Sequence, residues 1–124
     1  MSADRPNRDA EVCLVQGSYY AATGLWPIVS MKSFERVTGP KRDHWLVKTV
    51  GLLVTAVGIT LIRAGFRRKV HPDVALLAGL SAAALATVDI AFTAQRRISP
   101  VYLLDAGPEV ALAAWWSGAG RRNA

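Results

Sequence analysis

The chain predicts an all-α fold, a four-helix transmembrane bundle running up-down-up-down, and three observations carry that prediction. Residues 12 to 31, 45 to 62, 74 to 95 and 98 to 120 contain only Lys48, Asp89, Asp105 and Glu109 among the Asp, Glu, Lys and Arg of the sequence. Each stretch is close to the ~20 apolar residues that a helix needs to cross a bilayer core. Basic residues crowd the ends of these stretches: Lys32, Arg36, Lys41 and Arg42, then Arg63, Arg67, Arg68 and Lys69, then Arg96 and Arg97, then Arg121 and Arg122. This is the placement of anchors that snorkel toward anionic headgroups. The connections after the second and third stretches are also short, which makes neighbouring spans antiparallel.

A soluble helical domain of 124 residues would show charge on its outer faces every three to four residues, yet residues 12 to 31 have none. The net charge of +6 resides in the end clusters and is not interleaved with aromatic residues, so no nucleic-acid partner is expected. Cys13 is the only cysteine, which excludes an internal disulfide or a Cys-x-x-Cys redox pair. It reads as a small apolar residue facing lipid or a neighbouring helix.

The elements follow in order. Residues 1 to 11, polar and containing Pro6, read as a disordered tail, and residues 12 to 120 as a single four-span membrane domain. Asp4, Asp9 and Glu11 argue against a cleaved leader. The first span runs from Val12 to Trp26, with Pro27 kinking or ending it. Pro27 to His44 forms a helical extension or short interfacial helix, then a turn at Thr38-Gly39-Pro40.

Asp43 is placed to cap the second helix, Trp45 marks its membrane boundary, and the helix reaches Ile62 before Gly65 stops it. His71-Pro72-Asp73 opens the third span, which ends near Gln95. Ser99-Pro100 opens the fourth, which closes at Trp115-Trp116-Ser117-Gly118 and leaves residues 121 to 124 as a basic tail. With both termini on one face, that face holds Arg5, Arg8, Arg63, Arg67, Arg68, Lys69, Arg121 and Arg122 against seven Lys and Arg opposite. The positive-inside rule therefore tips only slightly toward termini inside.

Spacing assigns the acids to faces. Gly79, Ala82, Ala86, Asp89 and Thr93 recur at steps of three and four, which aims Asp89 along a stripe of small residues, the signature of close helix contact. Tyr102, Ala106, Glu109, Ala113 and Trp116 form the corresponding stripe of the fourth span, with Asp105 one turn before Glu109. Pro108 deprives the Leu104 carbonyl of its donor beside these acids. A carboxylate at mid-bilayer costs about 2.5–3.5 kcal/mol unless paired, protonated or hydrated.

Expected partners are Arg96 or Arg97, or else His44 and Arg42, for Asp105, and Tyr19, Tyr20, Gln16 or Thr23 for Glu109. Gln16, Tyr20, Thr23 and Pro27 make a polar stripe on the first span. Gly17, Ala21 and Gly24 face one way there, as Gly51, Thr55 and Gly58 do on the second, a pattern of helix packing within the chain or of homo-oligomerisation. No metal-ligand spacing, phosphate loop or nucleophile elbow occurs, and no cofactor is expected.

The segments TGLWPIVSMKSFERVTGPKRDHWLVKTVG (residues 23 to 51) and RRISPVYLLDAGPE (residues 96 to 109) resemble a family of small uncharacterised bacterial membrane proteins. Length and span count resemble, more distantly, the DoxX-like four-helix proteins. The resemblance implies a shared fold and a bacterial membrane setting, and it implies no activity.

The expected function is that of a non-enzymatic membrane module. It would hold a small amphiphile, a lipid or a partner subunit in a polar intramembrane site formed by Asp89, Asp105, Glu109, Tyr20, Tyr102, Gln16 and Thr93. The alternative is an acid-base membrane enzyme, an isomerase or a quinone-linked subunit, with Glu109 or Asp89 as proton carrier.

Overall fold

The computed structural model describes residues 5–41, 43–95 and 100–123, with side chains from 8 to 118 inside those limits. Five helices follow one another: α1 (Arg5–Val29), α2 (Met31–Thr38), α3 (His44–Phe66), α4 (Pro72–Ala94) and α5 (Leu103–Asn123), the last preceded by a 3-10 turn at Pro100–Tyr102. The described residues contain no strand, so the all-α expectation is met.

The closest packing is between α1 and α3. Ala10, Gly17 and Gly24 on α1 meet Gly65, Gly58 and Gly51 on α3 in antiparallel order. A Cβ on Gly17 would stand 2.6 Å from the Gly58 carbonyl oxygen, one on Gly24 2.6 Å from that of Gly51, and one on Gly65 2.8 Å from that of Ala10. Backbones this close leave no room for a side chain. The seven-residue repeat on both helices keeps the contact on one seam along their length. The glycine stripes thus serve packing within the chain.

That seam also explains two departures from expectation. Residues 5 to 11 are helical, not a disordered tail, because Ala10 and Asp9 are buried and the first of them lies against Gly65. Gly65 does not stop α3, which continues to Phe66 with Gly65 buried, and the chain turns instead at Arg68, which adopts a left-handed φ of 54°. Pro27 lies within α1, and the break comes three residues later at Ser30, whose extended backbone and side-chain oxygen cap α2.

At the next boundary, Asp43 occupies the N-cap position of α3, but its side chain makes no capping bond; its carbonyl accepts from Leu46 and Val47 instead. The third predicted span matches α4, with Pro72 in the first turn and Gln95 at the end. The fourth runs past Gly118 to Asn123, so residues 121 to 123 continue the helix instead of forming a separate tail.

Helices α3 and α4 are long and apolar enough to cross a membrane. Only 22% of the most apolar window of each is buried inside the protein, whereas a soluble core helix of that composition would be mostly buried. Trp45, Leu52, Leu53, Ile59, Leu76 and Leu80 are all exposed. α1 and α5 are more polar because they carry the side chains described next.

Candidate functional site

Helices α4 and α5 form a second closely packed pair, with Gly79 against Trp116, where an added Cβ would meet the Trp116 Cβ at 3.1 Å. Side chains of α1 join this pair to the α1–α3 pair through polar contacts stacked along one seam. Tyr19 donates its phenol hydrogen to Asp105, and Tyr20 donates to Glu109 at 2.6 Å. Farther along, Trp116 Nε1 donates to Gln16 Oε1 at 2.7 Å, and Gln16 Nε2 donates to the Ala78 carbonyl at 3.0 Å. Trp115 Nε1 reaches Asp9 at 3.2 Å near the start of α1. From Asp9 to Tyr20 the seam follows roughly 16 Å of helix.

The local reasons are those of helix geometry. Asp105 and Glu109 are four apart and share one face of α5, and antiparallel α1 offers them the consecutive Tyr19 and Tyr20 from either side of its own facing stripe. Asp105 also lies in the first turn of α5, where the helix dipole favours negative charge. On α4, Ala78, Ala82, Ala86 and Asp89 are buried, so the stripe of small residues brings Asp89 inward as its spacing implies. Asp105 is then near enough to Asp89 and to Glu109 for the carboxyls to interact.

Three of the residues expected at one site, Asp89, Asp105 and Glu109, therefore come near one another, with Tyr20 bonded to Glu109 and Thr93 one turn past Asp89 on α4. Glu109 is 1% exposed and Asp89 5%. Gln16 has a different place: it is a fully buried crosslink among α1, α4 and α5, and both ends of its amide are engaged. Tyr102 faces the Lys41 ammonium, 5.2 Å from its ring centroid, at the α2 end of the seam. His44 pairs with Glu35 at 3.1 Å. Arg42, Arg96 and Arg97, the other expected partners of Asp105, lie outside the described residues.

Tyr19 and Trp116 are the members that sequence reasoning left out of the site. The sequence placed Tyr19 only as a candidate partner of Glu109 and Trp116 only on the stripe of α5, because the pairing depends on the register between α1 and α5. The signal available was the adjacency of two phenols opposite two acids one turn apart. Cys13 is fully buried in the core with Tyr20, Leu61, Ala78 and Trp116, so of the two settings expected for it the neighbouring helix is correct.

Two buried polar atoms are left over. Asp89 Oδ2 and Thr93 Oγ1, one turn apart on α4, have no hydrogen-bond partner among the described residues. A carboxylate can only accept, so the neighbouring Asp105 satisfies Asp89 only if the two share a proton. Unpaired buried acceptors are rare and call for an explanation in each case. At Asp89 the missing element is a hydrogen: a proton held between carboxyls, or an O–H or N–H from a bound molecule.

At the α2 end, Glu35 accepts from the Lys41 backbone N–H at 2.9 Å, and Lys41 Nζ donates to the Thr38 and Gly39 carbonyls. Gly39 needs its φ of 97° to make this turn. The Lys41 N–H bond, together with the nearby His44 and Lys41 charges, holds the Glu35 carboxyl below its ordinary range.

Among the described residues, no three His, Cys, Asp or Glu side chains are arranged to hold a metal ion. Comparison of the chain with protein-family models, with curated proteins and with solved structures finds no match, so the fold and the carboxyl–tyrosine seam stand on their own geometry.

Proposed function

We propose that the chain is a four-span membrane protein, with α1, α3, α4 and α5 crossing the bilayer, and that it acts as a non-enzymatic module binding a small amphiphile at Asp89, Thr93, Asp105 and Glu109. The observation that carries the binding reading is a pair of polar atoms on α4, Asp89 Oδ2 and Thr93 Oγ1, with no partner among the described residues. A folded chain left to itself would be expected to satisfy them. In a bilayer core the incentive is stronger, because no bulk water substitutes for a missing partner. Exposed Ile90, Leu103 and Leu104 on the same two helices would give an apolar tail a surface to lie on.

The acid-base alternative draws on a different observation, the two phenol–carboxyl pairs Tyr19–Asp105 and Tyr20–Glu109, which are proton donors and acceptors already in contact. It ranks second because those pairs satisfy each other, whereas the atoms left free are an acceptor and a hydroxyl.

Native mass spectrometry of the protein extracted from membranes tests the first reading. A small molecule should co-purify with the wild type and be lost from an Asp89→Asn, Thr93→Val double variant whose helical content and monodispersity are unchanged. Equal retention by the folded double variant would exclude this site.

A further inference from the structure

Resting on the binding reading above, we infer that the head of the bound amphiphile is an ammonium carrying N–H hydrogens, and that it enters in exchange for a carboxyl proton. Three interacting carboxyls come from two helices, Asp89 from α4 and Asp105 and Glu109 from α5, and α1 meets the last two with the phenols of Tyr19 and Tyr20. The nearest charged residue of α3 in the span, Lys48, is exposed. An anionic head would add to the charge already gathered there, and a neutral alcohol would supply one hydrogen without balancing any charge.

The second observation is independent of the acid count. Asp89 is 5% exposed, and its Oδ2 lacks a donor among the described residues; the interacting Asp105 carboxyl could supply one only as a proton. An R–NH3⁺ group has three hydrogens in a compact head. One can go to Asp89 Oδ2, one to Thr93 Oγ1 and one to Asp105, replacing the shared proton by a charge-assisted bond. A quaternary ammonium has the same charge and no hydrogen to give, so it would leave Asp89 Oδ2 as it is.

The exchange keeps the buried charge constant. The ammonium brings one positive charge, one carboxyl O–H bond breaks, its electron pair stays on the carboxylate, and the proton leaves to water. Burying the cation without that release would place an uncompensated charge in the span. The far end of the seam is closed by buried Gln16 and Trp116, while Tyr19, Asp105 and Thr93 are only half-buried, so exchange takes place at the α2 half of the protein.

The full chain in phosphatidylcholine nanodiscs is titrated calorimetrically with dodecylamine, dodecyltrimethylammonium and dodecanol, with empty discs subtracted. Each titration is repeated at one pH in phosphate and in Tris, whose different ionisation heats count protons released. Dodecylamine should bind saturably with release of about one proton, about tenfold more tightly than the trimethyl compound. Thr93→Val should weaken it about tenfold while preserving the fold.

Equal binding of the two ammonium compounds, or saturable binding with no proton release, would overturn the exchange inference and leave the binding site standing. Saturable binding of dodecanol that is lost in Asp89→Asn would do the same. If none of the three binds saturably, the site reading falls with it. The proton count comes from the wild type alone and does not depend on a variant that folds.

Discussion

Gly58→Ala is the most direct perturbation of the α1–α3 seam. The added methyl would stand 2.7 Å from both the Ala21 nitrogen and the Gly17 carbonyl oxygen, and 3.1 Å from Tyr20 Cβ. Non-bonded heavy atoms settle at about 3.5 Å or more, so α1 must retreat by roughly 0.8 Å. The two nearest atoms are backbone, and no rotamer change can relieve them. Overpacking of this kind costs about 1–3 kcal/mol.

Alanine also gains about 0.8–1 kcal/mol of helix propensity over glycine, which would mask part of that loss. Gly118→Ala supplies the correction, because a Cβ there meets nothing within 4 Å. The difference in unfolding free energy between the two variants, read by circular dichroism during titration of a mild detergent with SDS, should therefore be about 1–3 kcal/mol. A difference within about 0.5 kcal/mol, the range of an ordinary surface substitution, would refute the close seam.

Three further outcomes are expected. Tyr20→Phe removes the donor to buried Glu109 and should cost about 0.6–1.7 kcal/mol in the same assay, the range found for hydrogen bonds between membrane helices. Cys13, fully buried, should resist maleimide in the folded protein and react after denaturation; rapid labelling of the native state would contradict its place in the core. Glu35, held below its ordinary value of 4.5 by the Lys41 N–H and by the His44 and Lys41 charges, stabilises the α2–α3 turn above that value, and the contribution is lost as pH falls through its lower folded value. Trp26 fluorescence, sensitive to contact with Ser33 and Phe34, should report that loosening in acid, and Glu35→Gln should abolish the transition.

Features set by local periodicity were legible in the sequence. The inward stripe of α4 with Asp89 follows from steps of three and four, and the Pro72 start needs only neighbouring residues. What could not be read depends on contacts distant in the chain. Residues 5 to 11 look like a tail because they are polar, and what packs against them is Gly65 and Trp115, the latter 106 positions from Asp9. Gly65 reads as a helix stop on propensity alone, yet the same missing side chain is what admits Ala10. The sequence points Glu109 toward a partner on α1 and offers Tyr20 among four candidates, and Tyr20 is the one it meets. Tyr19 was missed at Asp105 because the choice between adjacent phenols rests on a register between the first and last long helices that no local signal encodes.

The central claim is that the polar helices α1 and α5 cross the bilayer together with the apolar α3 and α4. In a Cys13→Ala background, single cysteines replacing Arg8, Lys41, Arg67 and Ser117 can be probed in sealed membrane vesicles with an impermeant maleimide. Four spans place Arg8, Arg67 and Ser117 on one face and Lys41 alone on the other. If only α3 and α4 cross, positions 8, 41 and 117 will label together and position 67 will stand apart, and the carboxyl–tyrosine seam will lie outside the membrane.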